Sequence, residues 1–350
     1  MAYSLLTYRF RIKDSTSGKR LQRMAWAVNT VWNYCNEMSL LAWRREKRFL
    51  TGFDLVNLCA GAGHELGLHT DTISEICNEY ARKRKQCKKI RLRWRSKKRS
   101  LGWIPFKGRA IKLHAGEVAL KGQHWRFWES RALGGTVKTG SFAQDAQGRW
   151  HVNFQCEVQT SGVPLGHTEL GIDLGLKNHV ACSDGITYSR ENLTRTHEDA
   201  LAMAQRAHKK KRVKAIHANI AHQRQDWAHK TSTAIVGRAR LIAVGNVSPS
   251  KLAKTRMAKS VLDAGWSQFR TMLSYKAMRL GVEYREVNES GSSVTCSACL
   301  HKTGPRGLSQ LGVREWCCLS CGVVHDRDTN AAQNILRSGR ATPSGIPLLK

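Results

Sequence analysis

Two C-x-x-C pairs stand near the C-terminus, Cys296-Ser-Ala-Cys299 and Cys318-Leu-Ser-Cys321, with eighteen residues (300–317) between them. Thiolates two residues apart can turn both sulfurs toward one ion, and two such knuckles complete a tetrahedral Zn²⁺ site with no open position for water. The spacing therefore predicts a closed, structural zinc ribbon. Cys317 breaks the two-residue spacing and reads as a bystander, while His301 and His325 are alternative donors. The remaining cysteines, Cys35, Cys59, Cys77, Cys87, Cys156 and Cys182, are scattered without pairing logic. That usage suits a reducing cytosol and a metal site, not a disulfide framework.

A second set of chemically capable residues is acidic. Residues 169–185, ELGIDLGLKNHVACSDG, carry Asp173 inside an apolar strand between Gly171 and Gly175, followed by a second strand, HVACS, and the Asp184–Gly185 turn. Residues 325–336, HDRDTNAAQNIL, put Asp328 where a helix opens, as an acid at the positive end of a helix should be. Asn330, Ala331 and Ala332 are small enough for that helix to lie close on a sheet. Clustered carboxylates suit Mg²⁺ or Mn²⁺, hard ions that prefer oxygen. Two such ions about 3.5–4 Å apart can clamp the attacking and leaving oxygens of a phosphodiester. Taken singly, Asp173 has the alternative reading of a strand-end turn acid, and Asp326 that of an ordinary surface acid.

The charge balance names the partner class. The chain has 58 Lys+Arg against 26 Asp+Glu, a net +32, and a compact body so charged calls for a polyanion. From Arg82 to Arg99 there are twelve Lys/Arg and no acid, with Trp94 and then Trp103 interleaved. Arg82, Lys83, Arg84, Lys85, Lys88, Lys89, Arg91, Arg93 and Arg95 are expected to contact phosphate. A second basic group, Lys209, Lys210, Lys211 and Arg212, with Arg206 and Lys214, falls in a helix expected over 196–240. No apolar run approaches the roughly 20 residues of a membrane span, and the alternating N-terminus lacks a signal peptide's apolar stretch. These features predict no membrane partner and a cytoplasmic, nucleoid-associated bacterial protein.

The elements that must position these residues follow from periodicity. Residues 3–13 alternate as a strand, with Leu6, Tyr8, Phe10 and Ile12 on one face. Residues 19–50 carry a helical stripe of Leu21, Met24, Val28, Val31, Cys35 and Met38, and 71–99 read as a second long helix. Residues 110–160 are short alternating segments with turn signals, expected to form a small antiparallel barrel that the strand 3–13 joins. After a linker at 161–166, strand and helix alternate. The predicted class is α/β plus β-barrel.

The order GIDLGLKN (171–178), QRQDWAHKTSTAIV (223–236), KSVLDAGWSQFRTMLSYKA (259–277), the four-cysteine ribbon and HDRDTNAAQNIL resembles the TnpB family, the transposon-encoded OrfB zinc-ribbon type ancestral to type V CRISPR nucleases. The resemblance covers roughly 168–337. It implies an RNase H-like, RuvC-type nuclease domain over 166–290 and 325–350, interrupted by a zinc ribbon at 291–324. It also implies a wedge-like β-barrel from 1–18 and 104–165, carrying a helical recognition insertion at 19–103. The implied function is RNA-guided DNA cleavage by two-metal hydrolysis. The guide RNA comes from the transposon end, the target is double-stranded DNA beside a short motif, and the cofactors are Mg²⁺ (or Mn²⁺), Zn²⁺ and the guide. In this family the D-x-N-A-A aspartate is the last metal ligand, which selects Asp328.

One departure stands out. The family's second carboxylate lies in a strand of the form I-x-x-E-D/N-L, yet the matching strand, LIAVGNVS (241–248), has Gly245 there. The next strand, GVEYREV (281–287), is expected alongside, and Glu289 follows it at the same sheet end. A glutamate reaching across one strand spacing of about 4.8 Å can replace the missing one. This resembles rearranged variants of the family and of its eukaryotic Fanzor relatives, and makes Asp173, Glu289 and Asp328 the expected catalytic set. Glu283 and Glu286 are the alternatives. The competing reading is an RNA-guided DNA-binding protein or repressor with an inactive nuclease.

Overall fold

The computed structural model describes residues 3–13, 15–159, 162–246, 258–306, 310 and 312–341. They fall into two compact units, Leu5–Val158 and Gln159 onward, with Tyr3 and Ser4 grouping with the second.

The first unit joins helices to two antiparallel sheets. Strand β1 (Tyr3–Arg11) buries every second residue, and Leu6, Tyr8 and Phe10 face inward as alternation requires. It is followed by α1 (Ser15–Glu46), α2 (Gly52–Leu58), α3 (Ala62–Glu65) and α4 (Thr70–Cys87). The strands β2 (Trp103–Lys107), β6 (Thr136–Gln144) and β7 (Trp150–Gln159) complete a sheet of order β1-β7-β6-β2. Between β2 and β6, a meander of β3 (Ile111–His114), β4 (Glu117–Leu120) and β5 (Gln123–Arg126) forms a separate sheet. Phe10, Phe127 and Phe154 fill the space between, with ring centroids 5.2–6.1 Å apart.

This is not the closed barrel expected from the sequence. Among the described residues the two sheets are linked by one antiparallel bridge, Ile12 to Phe127. The ladder is broken between β2 and β3 by a 3₁₀ turn at Gly108–Ala110. The long basic helix is also shorter than expected. It stops at Cys87, where Lys88 takes a left-handed conformation (φ 51°). A run of like charges gains no i,i+4 support and loses stability in a helix. Residues 88–102 continue without helix and are held to α1 by two asparagines. Asn36 exchanges bonds with Leu92 N and O (2.8 and 3.0 Å), and Asn33 with Arg95 N and O (2.8 and 2.9 Å).

The second unit is a five-stranded sheet flanked by helices. Its strands β8 (Thr168–Asp173), β9 (Val180–Cys182), β10 (Thr187–Tyr188), β11 (Ala239–Gly245) and β12 (Glu283–Val287) take the order β10-β9-β8-β11-β12. The first three form an antiparallel meander, and β11 pairs in parallel with both β8 and β12. Between β10 and β11 run α5 (Leu193–Thr196), α6 (Glu198–Arg206) and α7 (Lys210–Arg238). The single helix expected over 196–240 is thus broken, at His208 (φ 52°). The helices α8 (Ala258–Ala264) and α9 (Trp266–Arg279) precede β12. A two-stranded ribbon, β13 (Glu315–Cys317) and β14 (Val324–Asp326), precedes α10 (Arg327–Ala341).

Helix α10 lies tight on β8. A side chain at Gly171 would overlap the Ala332 carbonyl and stand 2.8 Å from Leu336 Cβ. Glycine on the strand and alanine on the helix thus bring the start of α10 down onto the sheet.

Candidate metal centres and nucleic-acid interface

Asp173 is the last residue of β8. Its neighbour Ile172 pairs with Val244 of β11, so Gly245 follows at the same sheet end. Gly245 pairs in turn with Val287, the last residue of β12, and Glu289 lies two positions beyond. The Glu289 side chain folds back over Gly245. A Cβ there would overlap Glu289 Oε2 and stand 3.1 Å from its Cβ and 3.3 Å from its Cδ. The volume that any larger residue at 245 would need is filled by Glu289.

Asp328 is the second residue of α10 and is buried. Asn178 Nδ2 donates to its Oδ2 at 3.0 Å, and Arg314 Nη1 donates to Oδ1 and Oδ2 at 3.2 and 3.4 Å. Asp326 has a different task. Its Oδ1 accepts from Thr329 N at 2.8 Å, which makes it the exposed N-cap of α10. Glu286 is engaged with Tyr284 Oη (2.9 Å) and Arg270 (3.6 Å), and Glu283 with Arg285 Nε (3.0 Å).

Asp173 senses the other two carboxylates. Burial, then the charge of Asp328, then that of Glu289 push the Asp173 carboxyl up to about 7, against the pull of Arg327 and the Leu174 N–H. Crowded acids of this kind fit divalent cations, which relieve the repulsion that raises the pKa. Among the described residues, the donor sets lying within 4.8 Å of one another are all cysteines. Asp173, Glu289 and Asp328 do not form such a set among the described residues. Neither Asn178 nor Arg314 was anticipated from the sequence. The polar turn after β8 was the only signal for Asn178.

The four ribbon sulfurs, Cys296, Cys299, Cys318 and Cys321, lie within 4.8 Å of one another. Cys296 Sγ is 3.7 Å from Cys321 Sγ, and Cys299 Sγ is 3.5 Å from Cys318 Sγ. Sulfurs about 2.3 Å from one tetrahedral Zn²⁺ stand about 3.8 Å apart, so the set fits that ion. Cys317 turns away toward the Gly322 carbonyl (3.3 Å). His325 is a neighbour of the set: its Nε2 lies 3.0 Å from Cys296 Sγ and its ring 4.9 Å from that of Trp316. The Thr303 hydroxyl donates to Cys318 Sγ at 3.2 Å and, with the Cys321 and Ser320 N–H groups, holds that thiol down to about 5. The first knuckle is lashed to α10. Asn330 Nδ2 and Asn334 Nδ2 donate to the Thr295 carbonyl at 2.8 and 2.6 Å, and Asn330 Oδ1 accepts from Ser297 N at 2.8 Å. The ribbon and Asp328 thus hang on the same helical turns.

The basic residues divide into two kinds. Lys85, Lys88, Lys89, Arg91 and Arg93 are exposed. Arg91, Arg93, Trp94 and Arg99 line a groove of about 600 Å³, with Trp94 46% exposed. Arg82 is exposed but paired with Glu79 at 2.6 Å, and Lys83 bonds Gln86 Oε1 at 3.3 Å. Arg95 lies over the rings of Trp32 and Trp103, at 5.3 and 5.5 Å. Arg84 departs from the expectation altogether. It is buried, donates to the Leu50 carbonyl at 2.6 Å and covers the Phe49 ring, so it is a packing residue and not a surface cation. Lys209, Lys210, Lys211 and Arg212 are exposed and occupy the N-cap and first turn of α7. Cations there oppose the helix dipole, a cost that a bound polyanion removes.

Known proteins share these features. Residues 153–256 match the OrfB_IS605 family model, described as "Probable transposase", and residues 266–335 match the model described as "Cas12f1-like, TNB domain". A Streptomyces pristinaespiralis protein named "Putative RNA-guided DNA endonuclease" is 33% identical over 267 residues, 71% of this chain and 65% of that protein. The Escherichia coli K12 protein named "Putative RNA-guided DNA endonuclease InsQ" is 28% identical over 62% of this chain and 60% of its own length. The chain thus spans less than two thirds of either relative. In fold it is similar to a chain of the solved Cas12f1–sgRNA–target DNA complex, with a TM-score of 0.58 at 13% identity over 92% of this chain and 83% of that one. Two adjoining family models and the named relatives agree with the carboxylate and cysteine motifs on one assignment: the chain belongs to the TnpB family.

Proposed function

We propose that this chain is an RNA-guided DNA endonuclease of a transposable element, hydrolysing target DNA at a RuvC-like site made of Asp173, Glu289 and Asp328. One observation carries the reading: Glu289 fills the space left by Gly245, and its charge, with that of Asp328, raises Asp173. A silenced nuclease has no use for two further acids placed so that both oppose the ionisation of Asp173. When bound, two Mg²⁺ or Mn²⁺ ions would activate water for in-line attack and neutralise the departing 3′ oxygen. Asp173, Glu289 and Asp328 would hold those ions. Asn178 fixes the orientation of the Asp328 carboxylate, and Arg314 adds a positive charge beside it, free to turn toward a phosphate once a cation takes its place.

The cysteine ribbon would hold Zn²⁺ as a closed structural site within 291–324. The Arg91–Arg99 groove and the basic start of α7 would grip guide RNA and the RNA–DNA duplex by phosphate and shape, while base pairing supplies the sequence choice. The sheets of the first unit would serve as the wedge and its helices as the recognition part, with the guide transcribed from the transposon end and the target chosen beside a short motif. The test supplies purified protein with guide RNA and a matched DNA duplex. Cutting that needs guide and Mg²⁺ together is the expected outcome, and tight guided binding without cutting would make the protein a DNA binder instead.

A further inference from the structure

Three cysteines with no pattern in the sequence meet inside the first unit. Cys35 lies in α1, Cys59 caps the C-terminal end of α2, and Cys77 lies in α4. All are buried, at 0, 5 and 0% exposure, and their sulfurs all lie within 4.8 Å of one another. Cys35 Sγ stands 3.7 Å from Cys77 Sγ, the same separation as Cys296 and Cys321 in the ribbon. Two sulfurs each about 2.3 Å from one ion stand about 3.8 Å apart in tetrahedral geometry and about 4.0 Å in trigonal geometry. A buried cysteine that only fills space behaves as a small hydrophobe and has no reason to seek other sulfurs. Here three come from three separate elements.

We propose that Cys35, Cys59 and Cys77 form a second metal site, which binds a soft thiophilic cation, Zn²⁺ or Cu⁺, and pins α1, α2 and α4 together. The donor set is sulfur alone, the chemistry that selects these two ions over Mg²⁺ or Mn²⁺. Each thiol gives up its proton on coordination, so loading releases protons and is weaker in acid. The site does not depend on guided cleavage, and its test does not read activity.

The experiment measures the metal content of the full chain, purified with its thiols reduced and loaded anaerobically with Zn²⁺ alone or Cu⁺ alone. Two ions per chain are expected with at least one of these metals, one of them in the ribbon. Cys59→Ala should lose one ion and keep the ribbon's. Cys318→Ala should keep the buried ion, and X-ray absorption on that variant should count three sulfurs around it. Filling by Zn²⁺ with a fourth, lighter ligand marks a tetrahedral site, and filling by Cu⁺ alone marks a trigonal one. The parent protein itself keeps the proposal falsifiable should Cys59→Ala fold poorly. A parent that takes up a single ion of either metal, lost on Cys318→Ala, would overturn it.

Discussion

Gly245 and Glu289 work as one feature: the glycine is needed because the glutamate lies where its side chain would be. Gly245→Ala should therefore push Glu289 aside, cutting guided cleavage at least about tenfold while costing about 1–3 kcal/mol of stability by overpacking. Cleavage unchanged in a folded Gly245→Ala protein would show that the Glu289 position does not matter. Asp173 offers a second test. Its carboxyl is pushed up to about 7, so the metal-free fold holds this proton more tightly than the unfolded chain does. The group favours the fold at low pH, and that contribution is lost as pH rises from the ordinary carboxylate range through about 7, until a cation replaces the proton. Half-saturating Mg²⁺ should accordingly rise as pH falls below about 7, by up to about tenfold per unit for one competing proton. Titration calorimetry of the guide-bound protein checks this, and a flat response between about pH 6 and 8 would contradict it. That Asp173, Glu289 and Asp328 come to one end of the sheet was legible in the sequence, because motif and strand order point there. Asn178 was not, since its contact with Asp328 spans 150 positions, and neither was Arg314, whose side chain reaches Asp328 only through the ribbon's fold.

At the scale of elements, the basic run from Arg82 to Arg99 shows where composition misleads. Charge alone treats Arg84 and Arg91 alike, yet Arg84 is buried against Leu50 and Phe49 while Arg91 lines an open groove. Arg91→Glu with Arg93→Glu should weaken guide RNA binding and flatten its salt dependence, leaving the melting temperature nearly unchanged. Arg84→Ala should do the reverse, lowering the melting temperature with little direct effect on RNA affinity. Equal effects of the two on RNA binding would contradict this division. The strand β1, the stripe of α1 and the sheet carrying Asp173 were readable because alternation and helical period are local signals. The end of α4 was not, because the exchange of bonds with Asn33 and Asn36 that ties the non-helical residues 88–102 to α1 is a tertiary event. The barrel failed to close for a related reason: turn signals announced the hairpins but not the 3₁₀ turn that breaks the ladder at Gly108–Ala110.

For the whole molecule, net charge named the partner class and the second unit's motifs named the family, while the first unit contributed no sharp motif. The chain as a whole is similar in fold to a Cas12f1 chain at 13% identity. The charge of +32 is not confined to one face of the sequence: the exposed cations of 85–93 and of 209–212 belong to different units. A long polyanion is the natural ligand for charge so distributed. Among the described residues no helix is long and apolar enough to cross a membrane. The proposed nuclease site has its second carboxylate at Glu289 in place of the β11 strand end. The most direct test compares guided, Mg²⁺-dependent cutting by the parent, Glu289→Ala and Glu286→Ala, with guided target binding measured on each. The parent and Glu286→Ala should cut, and Glu289→Ala should bind its target and not cut. A Glu289→Ala protein that cuts like the parent would contradict this.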